Sequence, residues 1–138
     1  MKNGGLDVKA YDYNEEILKI KELNVHVVDL AYKTDFPKSD LALCLEVGEH
    51  IPLKFEDIFV NNIVNAAKNW LIISWAIVGQ QGHGHVNCKN NFMVIDIFRH
   101  HGFEIDYLST RQIRNSAKLS WFKNTLFIFK RVANGNNA

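Results

Sequence analysis

Residues 40–52, DLALCLEVGEHIP, join an apolar run to a cluster of ionisable side chains. The run LALCLE predicts a buried strand, because strands that are covered on both faces of a parallel sheet read as continuous apolar segments. Glu46, Glu49 and His50 follow at the end of that strand. Ligands of open α/β sheets bind beyond the carboxyl ends of the strands, so this stretch predicts both the fold and the place of its site.

On either side of this stretch, short β-rich runs alternate with segments of helical period. Strands are predicted in LDVKAYD, VHVVDLA, LALCLE, WLIISWAIV, FEIDYL and TLFIFKR. Helices are predicted in NEEILKIKEL, KFEDIFVNNIVNAAKN, NNFMVIDIFRHHG and residues 110–118. The resulting order, β-α-β-β-α-β-α-β-α-β, is typical of a sheet flanked by helices.

The composition indicates one globular domain. The chain has 138 residues, 47% of them hydrophobic, and we predict a single domain over residues 1–132 with a polar tail at 133–138. The longest apolar stretch, WLIISWAIV, is about half of what a membrane-spanning helix requires. The two cysteines lack the spacing of a disulfide scaffold, and no signal peptide opens the chain, so we expect a cytoplasmic protein without a membrane partner.

Charge argues against a dedicated nucleic-acid protein. The formal net charge is only +1, whereas phosphate contacts require concentrated Lys and Arg. The last thirty residues nevertheless hold six basic side chains and no acidic one. This basic run is interpreted as a solvated face, with RNA binding as the minor alternative.

Several of these segments resemble class I S-adenosylmethionine-dependent methyltransferases. DVKAYDYN is similar to their second strand, VVDLA to the third, DLALCLEVGEHIP to the fourth, and NWLIISWAIVGQQGHGHVN to the fifth with its loop. FEIDYL and TLFIFKR are similar to the hairpin that ends such a sheet. The resemblance implies an α/β fold with a truncated Rossmann-like methyltransferase sheet, mostly parallel, with a C-terminal antiparallel hairpin.

The resemblance also implies a binding site for S-adenosylmethionine. Asp12 would receive the ribose hydroxyls and Asp29 the adenine amino group, while the Leu30 amide would meet a ring nitrogen. Leu45 is assigned to the same cofactor site. The alternatives are that Asp12 caps a turn beside Asn14 and that Asp29 is a simple turn acid.

The cluster after the predicted third strand carries the candidate chemistry. Carboxylate and imidazole groups can shuttle a proton or bind a divalent cation, and the pattern Glu-x-x-Glu-His resembles that of metal-assisted O-methyltransferases acting on RNA 3′ ends and on ubiquinone precursors. A purely structural role is the third alternative. We assign catalysis without a metal: Glu49 or His50 as the base and Glu46 as the group that orients it.

The loop GQQGHGHVNC, residues 79–88, would lie over the same rim. Its His83 and His85 are predicted to bind the substrate, with metal ligation or mere surface exposure as alternatives. Trp75, at the end of the apolar strand before this loop, would either stack on a substrate ring or lie in the core.

One departure from the family concerns its glycine-rich turn between the first strand and the first helix. MKNGG precedes the first predicted strand, so Gly4 and Gly5 cannot replace that turn. The missing strand would lie between those that carry Asp12 and Glu46. These two strands would either pair directly in a rearranged six-stranded sheet or accept a strand from a second copy or a partner chain, and a fragment of a longer protein would show the same absence.

Two functions follow. The first is methyl transfer from S-adenosylmethionine to an oxygen or nitrogen of a small molecule, impaired by the loss of the glycine-rich turn. The second is a non-catalytic module that binds or regulates a partner chain through an unfilled sheet edge. A metal-dependent hydrolase is disfavoured, because the chain shows no nucleophile motif. The first function requires that Asp12, Asp29 and Glu46 share one lip of the sheet.

Overall fold

The computed structural model describes residues 5–20 and 24–133. Its strands are β1 (Ala10–Asp12), β2 (Val25–Val27), β3 (Ser39–Cys44), β4 (Ala67–Ser74), β5 (Phe103–Ile105) and β6 (Leu126–Arg131). Its α-helices are α1 (Glu56–Ala66), α2 (Asn91–His100), α3 (Tyr107–Ser116) and α4 (Phe122–Thr125). Short 3-10 helices cover Glu15–Lys19, Gly48–His50 and Leu53–Phe55.

The strands form two sheets. One is the parallel pair β1–β2, and the other has the order β3-β4-β6-β5. In the second sheet β3 and β4 are parallel, whereas β6 runs antiparallel to both of its neighbours. This confirms the predicted α/β sheet with parallel strands and a C-terminal antiparallel hairpin. Of the two alternatives for the strands that carry Asp12 and Glu46, direct pairing is not observed: among the described residues, β1 pairs only with β2 and β3 only with β4.

The core lies between α1, α2 and the four-stranded sheet. Fully buried aromatic and aliphatic side chains from these elements fill it, among them Phe59, Leu71, Phe98 and Phe129. Burial of this apolar surface supplies the main stabilising free energy of the domain. The part of the chain that the structure describes contains no helix long and apolar enough to cross a bilayer.

The boundary between α1 and β4 lies earlier than predicted, at residues 66 and 67 instead of 69 and 70. The guanidinium of Arg131 donates hydrogen bonds of 2.7–3.0 Å to three backbone carbonyls at this boundary, those of Val64, Ala67 and Lys68. Carbonyls at a helix C-terminus lack intrahelical partners. A side chain from the far end of the chain satisfies them here and so fixes where the helix stops.

The predicted first helix is also shorter than expected. Asn14 caps it as predicted, since its side chain accepts from the Glu16 amide, but only a 3-10 helix over Glu15–Lys19 forms. None of its residues is buried, and helices are stabilised mainly by packing of an apolar face. The predicted continuation at residues 21–23 lies outside the described residues, as do Gly4 and residues 134–138 of the predicted tail.

The segment that connects β5 to β6 contains more helical residues than predicted. The strand expected over FEIDYL ends at Ile105, because the Asp106 carboxylate caps α3 by accepting from the Ser109 amide at 3.0 Å and the Ser109 hydroxyl at 2.7 Å. The helix therefore spans Tyr107–Ser116 instead of residues 110–118, and α4 had not been predicted.

Asn62 joins the segment after β2 to α1. Its side chain is buried although it is polar. Its Nδ2 donates to the Leu30 carbonyl at 3.2 Å and to the Tyr32 carbonyl at 2.8 Å, and its Oδ1 accepts from the Thr34 amide at 3.0 Å. The chain that follows Asp29 is thereby held against the helix that packs on β3 and β4.

Replacement of Asn62 by leucine should therefore destabilise the protein by about 2–3 kcal/mol, because three backbone groups lose their partner. Urea denaturation measures the free energy of unfolding. The matched control is Asn65→Leu, since Asn65 is exposed on the same helix and should change the stability little. Equal effects of the two substitutions would contradict the role given to Asn62.

Candidate functional site

The parallel pair β3–β4 brings two chain segments to one edge of the sheet. Cys44 pairs with Ile73 at the end of this ladder, so Glu46 and the segment after Ser74 emerge side by side. The Glu46 amide donates to the Ser74 hydroxyl at 2.8 Å, and Gln80 Nε2 donates to the Glu46 carboxylate at 3.0 Å. These contacts hold Glu46 at a φ of +52°, in the left-handed region that L-residues rarely adopt.

Glu49 lies in the 3-10 helix Gly48–His50 and has no exposed surface. Its backbone carbonyl accepts two hydrogen bonds, from the Val86 amide at 2.8 Å and the Asn87 amide at 2.9 Å. Neither oxygen of its carboxyl group has a hydrogen-bond partner among the described residues. The Glu49 carboxyl group is therefore both buried and without a hydrogen-bond partner, an environment that favours its protonated form.

Burial is the main cause that raises the pKa of the Glu49 carboxyl above its ordinary value of 4.5. The charge of Glu46 raises this pKa further. The imidazole of His50 acts in the opposite direction, as do the nearby amides of Glu49 and Ala76, although neither amide reaches the carboxyl group with the geometry of a full hydrogen bond. The neutral form of Glu49 is thus favoured over a wider pH range than that of an exposed glutamate.

Two imidazoles lie next to Glu49. His50 Nδ1 lies 3.0 Å from the Gly84 carbonyl, His85 Nδ1 lies 3.1 Å from the Gln80 carbonyl, and the ring centroids are 5.0 Å apart. A carbonyl only accepts, so Nδ1 of each ring donates and Nε2 is left to accept a proton. Glu49, His50 and His85 each present one ligand atom within 4.8 Å of the others, an arrangement that fits proton transfer and also fits a divalent cation.

Trp75 packs against Gly48, the first residue of the 3-10 helix that carries Glu49. Trp75 is fully buried, and its indole N–H donates to the Asn87 carbonyl at 2.6 Å. A Cβ atom on Gly48 would lie 2.5 Å from the indole ring, so only glycine fits at that position. The indole is thus part of the core, the alternative that the sequence had left open, and no face of it is free to stack on a substrate. The sequence analysis missed Gly48.

A buried ion pair that no local sequence pattern predicts lies at the end of the loop of residues 79–88, hereafter the histidine loop. Lys89 Nζ lies 2.8 Å from Glu56 Oε2, and their side chains are only 6% and 14% exposed. The same carboxylate oxygen accepts from Asn87 Nδ2 at 2.7 Å. No local sequence pattern distinguishes Glu56 or Lys89 from the charged residues of an exposed surface.

The predicted cofactor acids lie at the other sheet. Asp12 pairs with Val27 at the end of β1–β2, so Asp12 and Asp29 both follow the carboxyl ends of these strands. The Asp12 carboxylate accepts from the Asn14 amide at 2.8 Å and that of Asp29 from the Ala31 amide at 2.9 Å, as in the turn alternatives. No hydrogen bond in residues 5–20 and 24–133 joins either acid to Glu46, so the single lip remains a prediction.

The remaining predicted residues have different surroundings. Leu45 lines an apolar cavity of about 240 Å³ together with Leu43, Ile72 and Leu126. His83 is exposed at the tip of the histidine loop. The loop thus brings His85, but not His83, to the imidazole of His50.

Neither thiol near the site is a nucleophile at neutral pH. Burial, aided by the charge of Glu49, raises the pKa of Cys44 to about 12. Burial and the charges of Glu49 and Glu46 likewise raise the pKa of Cys88, whose Sγ lies 3.7 Å from His85 Nδ1. Nucleophilic catalysis requires the thiolate, so these cysteines give no support to a hydrolase.

The sequence matches no protein-family model and no curated protein. In three dimensions the chain is similar to magnesium protoporphyrin IX methyltransferase from Synechocystis PCC 6803 with bound SAH, with a TM-score of 0.61 and 18% identity over 89% of this chain and 63% of that one. The methyltransferase domain of bacterial CtHen1-C gives a TM-score of 0.60 and 15% identity over 91% and 77%. The [4+2]-cyclase SpnF gives 0.63 and 11% over 96% and 68%.

These similarities confirm the resemblance at the level of the fold: the chain is folded like an S-adenosylmethionine-dependent methyltransferase. The chain spans less than two thirds of the length of the Synechocystis enzyme. Because one of the similar structures is described as a cyclase, the fold alone does not determine the reaction.

The environment of Glu49 predicts a pH-dependent stability. Since its pKa is raised in the folded state, the folded protein binds more protons than the unfolded one between the ordinary and the raised pKa, and stability falls as the pH rises through that window. Glu49→Gln should therefore increase the free energy of unfolding near neutral pH, by about 1.4 kcal/mol for each unit of pKa elevation. The gain should vanish below the ordinary value of 4.5.

Urea denaturation at several pH values measures this effect. Glu104→Gln is the matched control, because Glu104 is exposed in β5 and its replacement should leave the pH profile unchanged. If Glu49→Gln lowered the free energy of unfolding by the same amount at neutral and at acidic pH, burial would not be disfavouring the ionised form of Glu49.

Proposed function

We propose that this chain binds S-adenosylmethionine and transfers its methyl group to an oxygen or nitrogen of a small molecule. The observation that carries the proposal is the corner formed by Glu49, His50 and His85 at the carboxyl ends of β3 and β4. Ligands of open α/β sheets bind at this edge, and the similar Synechocystis methyltransferase holds SAH. A buried carboxyl group with two unpartnered oxygens beside two imidazoles has the composition of a proton-accepting site.

The cofactor would lie at the ends of β1, β2 and β3. Asp12 and Asp29 each use one carboxylate oxygen in a local turn, which leaves the other for the ribose hydroxyls and the adenine amino group, respectively. The amide of Leu30 would meet the adenine ring, and Asn62 fixes the Leu30 carbonyl. Leu45 adds apolar surface at the end of β3. No glycine-rich turn follows a strand ahead of Asp12 in the described part of the chain.

Bound S-adenosylmethionine would supply an electrophilic methyl group. The protein would place the acceptor in line with it and take the acceptor's proton as the new bond to carbon forms. Nε2 of His50 is the primary candidate for this proton. Glu49 is the alternative in its ionised form, which burial disfavours. Glu46, held by Ser74 and Gln80, would orient the base, while His85 and His83 would contact the acceptor.

Proton transfer fits this corner better than metal ligation. Burial favours the neutral form of Glu49, and a neutral carboxyl group is a weaker ligand than a carboxylate. If a divalent cation did bind, Glu49, His50 and His85 would hold it, and it would polarise an acceptor oxygen.

The basic residues near the C-terminus support a small molecule over RNA as the acceptor. Arg131 binds three backbone carbonyls inside the fold, and Arg114 Nε donates to the Leu126 carbonyl at 2.7 Å. Two of the six basic side chains thus serve the fold and are not available to phosphates.

Binding of SAH tests the proposal by isothermal titration calorimetry. We expect binding in the micromolar to millimolar range and a loss of about tenfold, equivalent to about 1.4 kcal/mol, for Asp12→Ala and for Asp29→Ala. Asp7→Ala is the control, because Asp7 is exposed and precedes β1. Absence of binding by the parent protein at millimolar SAH would refute the cofactor site.

A second candidate is a non-catalytic module that accepts a strand from another chain. The observation that favours it is the pair of open edges: among the described residues, β1 and β3 each have one neighbour, and Leu41 and Leu43 on β3 are 46% and 62% exposed. An exposed apolar edge strand is a template for pairing. A second copy of this chain is the simplest source of the strand.

Light scattering after size-exclusion chromatography distinguishes this candidate. It predicts a dimer that Leu43→Lys converts to a monomer, whereas Leu108→Lys, an equally exposed leucine on α3, leaves the dimer intact. A monomeric parent protein at all concentrations would contradict pairing between copies.

A further inference from the structure

We infer that the buried ion pair between Glu56 and Lys89 positions His85, so that these two residues set the geometry of the proton-accepting corner. This inference rests on the proposed function for its chemical meaning. Its structural content, that the ion pair fixes where His85 lies relative to His50, can be tested without any cofactor.

The burial of this pair needs an explanation. Lysine is rarely buried unless it is paired, and the Lys89 and Glu56 side chains are 6% and 14% exposed. A buried ion pair is weak evidence for stability, because apolar side chains of similar volume often serve as well. The pairs Glu16–Lys19 and Asp96–Arg99, by contrast, are exposed and of the kind that contributes little.

The ion pair connects a rigid element to the end of the histidine loop. Glu56 is the first residue of α1, and its Oε2 accepts from Lys89 Nζ at 2.8 Å and from Asn87 Nδ2 at 2.7 Å. The Lys89 amide donates to the Ala76 carbonyl at 3.0 Å. The Lys89 ammonium also lies 5.5 Å above the Trp75 ring. Residues 87–89 are therefore tied at once to the start of α1 and to the chain that leaves β4.

His85 lies two residues before this segment, which begins at Asn87. Val86 and Asn87 donate to the Glu49 carbonyl at 2.8 and 2.9 Å, and His85 is one residue before Val86. Any displacement of residues 87–89 would therefore carry the His85 imidazole away from His50.

The other side of the histidine loop is held at Gln80, whose amide donates to the Ile77 carbonyl at 2.9 Å and whose Nε2 donates to Glu46 at 3.0 Å, but the stretch between Gln80 and His85 has less support. Residues 81–84 are exposed, and Gly79 and Gly84 adopt positive φ values of +90° and +74°, so the backbone there has the freedom of glycine. Within that stretch the imidazoles themselves make the contacts, through His50 to Gly84 and through His85 to Gln80. The backbone that carries His85 is therefore held from the Lys89 side, whereas Gln80 contacts the His85 imidazole.

The test is the nuclear Overhauser effect between the imidazole protons of His50 and His85, whose ring centroids are 5.0 Å apart in the structure. His50→Gln and His85→Gln variants assign the signals. The double variant Glu56→Gln/Lys89→Met removes both charges together, so no buried charge is left unpaired. We expect it to keep the amide spectrum of β3 and β4 but to lose the Overhauser effect.

Two further variants complete the comparison. Asp96→Asn/Arg99→Gln removes an exposed pair from α2 and should leave the imidazole signals unchanged, and Lys89→Arg should retain the Overhauser effect. If the double variant does not fold, Glu56→Asp replaces it, because that change keeps both charges but shortens the reach, and the same loss is expected. Retention of the Overhauser effect in a folded variant without the ion pair would overturn the inference.

The result is separable from the proposed function. The imidazole signals are read in the absence of SAH and of any acceptor, so a protein that fails to bind SAH still answers the question about His85. Conversely, SAH affinity should be the same in the parent and the Glu56→Gln/Lys89→Met variant, because Asp12 and Asp29 lie at the other sheet.

Discussion

The site of this protein depends on one backbone acceptor, the carbonyl oxygen of Glu49. It receives hydrogen bonds from two successive amides, Val86 and Asn87, and so joins the turn that follows β3 to the histidine loop that follows β4. Without this junction the two segments would share only the end of a parallel strand pair. With it, the carboxyl group of Glu49 and the imidazoles of His50 and His85 lie in one corner.

The junction also explains the unusual electrostatics of Glu49. The Glu49 backbone is held by the amides of Val86 and Asn87, and the adjacent Gly48 packs against Trp75. The Glu49 side chain is fully buried, and neither carboxyl oxygen has a hydrogen-bond partner among the described residues. An unpaired buried polar group costs free energy. Functional sites are where such costs are retained, and the left-handed backbone of the neighbouring Glu46 is a second cost at the same corner.

The end of β3 and the cluster of Glu46, Glu49 and His50 could be predicted from the sequence, because an apolar run followed by ionisable residues depends on local pattern alone. His85 could be predicted for the same reason. Gly48, Asn62 and the Glu56–Lys89 pair could not, since their roles arise from contacts with Trp75, with residues 30–34 and with each other across 33 positions of the chain. The end of α1 depends on Arg131, 67 residues after Val64, and no local signal marks it.

The strands β1 and β2 form a sheet of their own, separate from the one that carries the proton-accepting corner. The acids expected to bind a nucleoside lie there, while the proton-accepting corner lies at β3–β4, and Asn62 is the described hydrogen-bonded link that holds the chain after Asp29 to α1. Among the described residues, β1 and β3 each have one neighbouring strand, and an open edge is a template for pairing with another chain.

Amide hydrogen exchange of Val86 and Asn87 tests the central claim most directly, because it reports on the two hydrogen bonds to Glu49. The structure predicts exchange as slow as that of the amides paired between β3 and β4. Exchange as fast as that of the exposed residues 81–84 would show that the histidine loop is not bound to the Glu49 turn, and the corner described here would not exist in solution.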